Sequence, residues 1–226
     1  MKHILRAALG AITLFHCTPA FASQDSQLWT IAGSTIRLTD KIRVSQETIA
    51  RFSDDRGGLY DLETNLMAGY QLREGLTIWV GYTHDPNYAA GRFATMESRI
   101  RQQVTWDNVV KLGPGRVSVR LLTEERWRRG ADGTGIRLRP FVRYAMPLGT
   151  KTGMTLAVSH ESFLNLSRTG YQSTRGEERM RNAILLALPV SHRLNFEAGY
   201  IRQDGFVHHA ANATDHIASV ALRAAF

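Results

Sequence analysis

The residues whose types and spacing are best suited to chemistry are Ser159-His160-Glu161-Ser162. His160 and Ser162 are two apart, so in an extended strand they share one face, and an imidazole beside a hydroxyl can serve as general base and nucleophile. The third group such a pair needs, one that orients the ring, is available in Asn182 if its strand lies alongside. The chemistry would be nucleophilic catalysis by a base-activated serine. A second grouping, His208-His209 with His216, lacks the carboxylate or cysteine neighbours that complete a metal site, so neither a metal nor a cofactor is expected. The run Gly130-Ala131-Asp132-Gly133-Thr134-Gly135 is as rich in glycine as a phosphate loop. It joins two strand-like stretches rather than a strand and a helix, and reads as a hairpin turn.

The elements that must position these residues are strands. In Asp215–Phe226, every second residue counting back from the terminal aromatic is apolar: Ala224, Leu222, Val220 and Ala218. The same period of two recurs along the chain, with Ile42, Val44 and Phe52 on one face of one segment and Leu76, Ile78, Val80 and Tyr82 on one face of another. Tight turns fall near residues 39–41, 72–75, 113–115, 148–151 and 190–193, and longer polar loops at 53–58, 85–94, 128–134, 165–176 and 204–213. Short and long connections that alternate suit an up-and-down transmembrane barrel, with short turns on one side of the membrane and long loops on the other. Tyr70, Trp106, Tyr144 and Phe226 would then ring the lower membrane boundary, and Phe52, Tyr82, Trp127 and Tyr200 the upper one.

The sequence therefore predicts an all-β, transmembrane antiparallel up-and-down barrel of about 10–12 strands spanning residues 41–226. Residues 1–22 read as a signal peptide: Lys2 and Arg6, an apolar run from Ala7 to Phe15, and a small-residue cleavage site ending at Ala22. The only cysteine, Cys17, lies in this leader. Residues 23–40 are harder to assign. Leu28–Leu38 is strand-like, yet it would be an eleventh segment where an even number is expected, so it lies in the lumen, lies along a seam without spanning, or implies a missed twelfth strand.

Removing the leader leaves 26 basic against 20 acidic residues. The basic residues alternate with apolar ones instead of clustering, which argues against a nucleic-acid partner. On the inward faces the charged positions are Arg43, Glu47, Glu97, Arg99, Arg101, Arg120, Glu124, Arg137, Arg139, Arg143, Glu161 and Glu197. They could form an arginine-lined passage for an anionic solute, or a closed lumen packed by Arg–Glu pairs. The excess of arginine favours keeping the passage in view.

Three resemblances follow. The closing strand that ends on Phe226 resembles the last strand of Gram-negative outer-membrane barrels, implying the cell outer membrane, contact with its lipid and lipopolysaccharide, and handling by the barrel-assembly machinery. The outward His160-x-Ser162 pair resembles the sites of outer-membrane phospholipase A and the lipid A deacylase, although Phe163 stands where the phospholipase pattern has Asn. Taken together, Gln27-Leu28-Trp29, residues 38–47, residues 160–166 and residues 215–222 resemble the outer-membrane family catalogued as domain of unknown function 2490. That resemblance implies a barrel and no established activity. Its pattern covers Glu161, Phe163 and Asn165 but not His160 or Ser162. The expected function is thus an outer-membrane barrel, structural or narrowly anion-permeable and not an enzyme, with a lipid esterase or deacylase using His160, Ser162 and Asn182 as the alternative.

Overall fold

The computed structural model describes residues 24–149, 153–206 and 212–226, and in it the chain closes into one barrel of eleven strands. These are β1 (Gln24–Arg37), β2 (Ile42–Ser53), β3 (Gly58–Arg73), β4 (Leu76–Ala89), β5 (Arg92–Leu112), β6 (Gly115–Arg128), β7 (Gly135–Pro147), β8 (Thr155–Asn165), β9 (Gly176–Pro189), β10 (Leu194–Gly205) and β11 (Ala213–Ala225). Each strand pairs antiparallel with the next. The expected leader, residues 1–22, lies outside the described residues.

The alternation in the sequence becomes an inside-out distribution of polarity. On β5, Glu97, Arg99 and Arg101 are buried while Ile100 and Val104 are exposed. On β3 and β4, Asp61, Glu63 and Asn65 turn inward, and Leu66 and Val80 face out, each 56% exposed. A sheet must put its period-two apolar face against something apolar, and here that face is the outside of the barrel.

Residues Leu28–Leu38 required a correction. Most of this stretch belongs to β1, a full strand of the wall, neither lumenal nor one of a missing pair. β1 pairs antiparallel with β2 and parallel with β11, from Gln24↔Thr214 to Thr35↔Ala225. The reason is topological. In an up-and-down barrel with an odd number of strands, the first and last run the same way, so closure must be parallel. The terminal residue extends the seam: Phe226 N–H donates to Thr35 C=O and Arg37 N–H donates to Phe226 C=O, both at 2.9 Å.

A second correction concerns the loop expected at 85–94. β4 continues to Ala89 and β5 begins at Arg92, so the connection is Ala90-Gly91 alone, with φ of 48° and 72°. Two successive positive φ values mark the mirror-image turn whose twist matches paired strands. Asp85 is thereby a buried inward-facing strand residue. Tyr82 and Tyr200 lie midway along β4 and β10.

Candidate functional site

The interior is organised by carboxylates that each gather several guanidinium groups. Fully buried Glu124 accepts from Arg137 Nε at 2.8 Å and Arg139 Nη1 at 2.9 Å. Glu97 accepts from Arg99 Nε (2.6 Å), Arg126 Nε (2.8 Å) and Arg128 Nη2 (2.9 Å). Glu63 takes Arg51 Nη2 at 2.9 Å and Arg99 Nη1 at 3.2 Å. Glu161 binds Arg139 Nε at 3.0 Å and also Arg120, while Asp61 pairs with Arg51 and Asp85 with Arg99. Nearer the short-turn end, Arg143 donates to Glu197 at 2.6 Å, Arg223 pairs with Glu47, and Arg43 donates to Gln71. Charges removed from water need this degree of pairing, since any one left alone would cost several kcal/mol.

Two aromatic side chains brace the network. The Phe163 ring, 1% exposed, has the guanidinium carbons of Arg139 and Arg181 at 4.4 and 4.6 Å and that of Arg137 at 5.2 Å. Trp29 takes Arg51 and Arg181 at 4.6 and 4.5 Å, and its indole N–H donates to Gln27. Each ring presents a negative face to cations that cannot all reach a carboxylate.

The result is a septum. A cavity of about 470 Å³ on the long-loop side is lined by Arg56, Tyr60, Arg128, Tyr171 and Arg179, among others. A second, of about 200 Å³, on the short-turn side is lined by Glu47, Arg120, Arg143, Glu197 and Arg223. Arg51, Glu63, Arg139 and Arg181 border both and stand between them. Among the described residues the buried charges are six arginines and eight carboxylates, so the buried groups taken together carry no positive excess. The arginine surplus noted in the sequence resides in less buried groups such as Arg120, Arg143, Arg179 and Arg223.

On the outer wall, the strand register brings the other candidates together. His160 on β8 is directly opposite Asn182 on β9. His160 Nδ1 lies 2.8 Å from Asn182 Oδ1, and its Nε2 lies 3.1 Å from Ser162 Oγ. Glu161 and Phe163, the intervening and following residues, point inward into the septum. His208 and His209 lie outside the described residues. His216 instead meets Tyr200, whose hydroxyl is 2.7 Å from its Nδ1, and no group of three or more metal-type side chains occurs among the described residues.

Several functional positions went unmarked in the sequence. Trp29 fell in the unassigned segment, Asp85 in an expected loop, and Asp61 and Asn65 had no strand partner by which to judge them. Gln172 was also missed; buried in the 166–175 connection, it accepts from Arg126 Nη1 at 2.9 Å and donates to Ser167 C=O at 2.8 Å. No strand period reaches that segment, so no pattern could have flagged it.

A closed barrel with an ion-paired interior and an apolar exterior is the class of protein these features define. Residues 26–214 match the family described as "Protein of unknown function (DUF2490)", and the chain belongs to that family. It is similar to an uncharacterized protein of Methylorubrum extorquens, 28% identical over 97% of this chain and 96% of that protein. A distant likeness to a solved structure, the siderophore receptor PirA from Pseudomonas aeruginosa, has 13% identity and a TM-score of 0.27, covering 76% of this chain and 35% of the receptor. The chain thus spans about a third of the length of that receptor.

Proposed function

We propose that this protein is an outer-membrane β-barrel of a Gram-negative envelope whose lumen is closed by its own ion pairs, so that it is a structural wall and not an open anion path. The observation that carries this is the septum: four charged residues, Arg51, Glu63, Arg139 and Arg181, separate the two lumenal cavities. A permeation path for anions needs unpaired positive charge at its narrowest point. Here the guanidinium groups are committed to Glu63, Glu124 and Glu161 or to the faces of Trp29 and Phe163.

Membrane placement is supported by the outer surface. Leu66, Val80, Val104, Leu121, Val142, Val158 and Ile184 stand exposed on successive strands from β3 to β9, a band far larger than the apolar patches that water-soluble monomers expose. In lipid the same band is the stable arrangement, and closure of the barrel satisfies the backbone without water. Bilayer lipid, including lipopolysaccharide, is then the principal partner, with the β11–β1 seam as the surface offered to the assembly machinery.

The test is planar-bilayer recording of the refolded chain lacking residues 1–22, with folding read by heat-modifiable gel migration. The wild type is expected to be electrically silent. A Glu63→Ala, Arg139→Ala double variant, which removes part of the septum while nearly conserving charge balance, is expected to show steps. Stable anion-selective steps from the wild type would overturn the closed-lumen reading.

A further inference from the structure

We propose that the outer wall carries an enzymatic function in addition: Ser162, His160 and Asn182 form a hydrolytic site for acyl esters of membrane lipids, with the lipid's acyl chain lying in a groove beside His160. This departs from the expectation that the chain is not an enzyme. It rests on the membrane placement argued above and on three observations at one place on the wall.

The first is the geometry of the three side chains. With Asn182 Oδ1 at 2.8 Å, His160 Nδ1 carries the proton and donates it, which leaves Nε2 with a lone pair directed at Ser162 Oγ, 3.1 Å away. That is the tautomer a general base requires. Other polar groups on the outer wall also satisfy one another, as Gln46 does with Thr48, and Tyr82 with Ser98. Those two pairs contain no base, and the outer-wall imidazole of His216 meets a phenol, that of Tyr200. Here an imidazole lies between a hydroxyl and an orienting amide.

The second is a break in the sheet beside the hydroxyl. The β7–β8 ladder runs through Arg137↔Asn165 and Leu138↔Leu164 and resumes at Phe141↔Glu161. Even-numbered residues of β8 turn their backbone groups toward β7, as the 2.8 Å bond from Leu166 N–H to Ile136 C=O demonstrates. By that register the carbonyl of Ser162 meets Pro140, which has no N–H to donate. Proline is excluded from the interior of sheets for this reason, and an unpaired carbonyl is costlier still where lipid replaces water. A purely structural wall gains nothing from this arrangement. A site gains an acceptor for the hydrolytic water or for a substrate hydroxyl next to the nucleophile.

The third is a groove of about 480 Å³ on the outer wall, lined by Val104, Trp106, Leu121, Pro140, Val142 and His160, among others. Its size falls in the roughly 300–1,000 Å³ range of small-ligand sites. Trp106↔Val119, Val119↔Val142 and Val142↔His160 are successive partners across β5 to β8, so the groove follows one row across the strands. Because barrel strands tilt by roughly 35–45°, a row across them also changes depth in the bilayer. The row leads from the site to Trp106, which pairs with Leu76, the first residue of β4 after a short turn. Ser162 is the eighth of the eleven β8 residues, in the long-loop half. An outer-leaflet lipid with its ester carbonyl at Ser162 would therefore lay its tail downward along the groove, which is the orientation a lipid already has.

In the reaction, Ser162 Oγ attacks the ester carbonyl carbon while its proton passes to His160 Nε2. The ester C–O bond then breaks, and the leaving alkoxide takes that proton to depart as an alcohol. Water adds to the acyl-serine by the same route, giving its proton to Nε2, and release of a fatty acid restores the hydroxyl. Asn182 is a positioning residue that holds the ring and stabilises the imidazolium.

The experiment folds the chain lacking residues 1–22 into vesicles of phosphatidylethanolamine and phosphatidylglycerol, with or without lipopolysaccharide. It then measures free fatty acid by mass spectrometry, alongside labelling by a fluorophosphonate probe mapped to a peptide. Acyl release is expected, falling to vesicle background in Ser162→Ala, by about 100-fold or more in His160→Ala and by about tenfold in Asn182→Ala, each variant checked for heat-modifiable folding. Labelling is expected at Ser162, and to be lost in His160→Ala. Release from both vesicle types assigns phospholipid esters; release only with lipopolysaccharide assigns its esters. A folded wild type that frees no acyl chain from either vesicle overturns the proposal, whether or not the probe labels Ser162, and so does release that persists in Ser162→Ala. Failure to insert into vesicles at all would instead count against the membrane placement, and gel migration reads that separately.

Discussion

At the scale of single residues, the interior shows why charge in a small barrel needs balance more than abundance. Glu124 has no exposed surface and holds Arg137 by two close bonds and Arg139 by one. Glu124→Gln keeps the shape and removes the charge, leaving Arg137 with no carboxylate nearer than Glu178 at 3.8 Å and Arg139 with Glu161 alone. A loss of about 3–5 kcal/mol in folding stability is expected, as for other buried pairs broken from one side. Denaturant unfolding in vesicles measures it. Removing a partner as well, in Glu124→Gln with Arg137→Met, should recover a good part of the loss, because the uncompensated charge is what destabilises. Recovery of none would mean that packing about Arg137, not electrostatics, dominates. The inward assignment of Glu124, Arg137 and Arg139 followed directly from period-two alternation. Their mutual contacts did not, because alternation fixes a face but not which side chain reaches across a lumen. Phe163 illustrates the limit: its inward direction was implied by His160 and Ser162 pointing out, yet its place among four arginines depends on three-dimensional proximity alone.

At the scale of elements, the seam between β1 and β11 is the least ordinary feature, and the one the sequence left open. Trp29 and Gln27 alternate inward like any strand, but a parallel partner leaves no local signature, since no turn connects it and no short-range pairing sets its register. What made the rest of the sheet legible was its set of antiparallel neighbours joined by turns, and the same rule explains the error at Ala90-Gly91. Asp85, Asn87 and Tyr88 look like loop residues by composition, but they belong to a long hairpin in which Asp85 is a buried inward position. The outer-wall cluster was legible for the converse reason, because His160 and Asn182 belong to successive strands whose facing needed only alternation. The seam can be tested because the chain beyond the leader has no cysteine. Ser34 and Ala224 are paired in the parallel register. Directly paired strand residues have the roughly 4.4–6.8 Å Cα separation that a disulfide spans. Ser34→Cys with Ala224→Cys should therefore cross-link on mild oxidation, giving a shifted band on a non-reducing gel. Ser34→Cys with Val220→Cys, four residues out of register, should not. Equal cross-linking of both pairs, or of neither, would rule out this closure.

At the scale of the whole molecule, the medium around the barrel decides what its surface costs. The exterior is apolar and the interior carries the charge, so the medium outside should be the better solvent for leucine and valine, and the bilayer proposed above is such a medium. The cost of placing a charge outside should then depend on depth, a dependence that water would not produce. Ile184, 49% exposed on β9, lies between Val158 and Tyr200 on the neighbouring strands, well inside the apolar band. Val190, 60% exposed, follows the end of β9 in the short turn to β10. If the band is embedded in lipid, Ile184→Arg should destabilise the folded state by about 2–4 kcal/mol and Val190→Arg by about 0–1 kcal/mol, in line with the depth profile of charged side chains on transmembrane barrels. Equilibrium unfolding in vesicles compares the two directly. In water both would be exposed surface substitutions worth within about 0.5 kcal/mol of each other. A clear excess for Ile184 would establish the lipid contact that the septum reading and the outer-wall site both require. Equal small effects would remove the common basis of both, and the exposed apolar band would then need a protein partner to cover it.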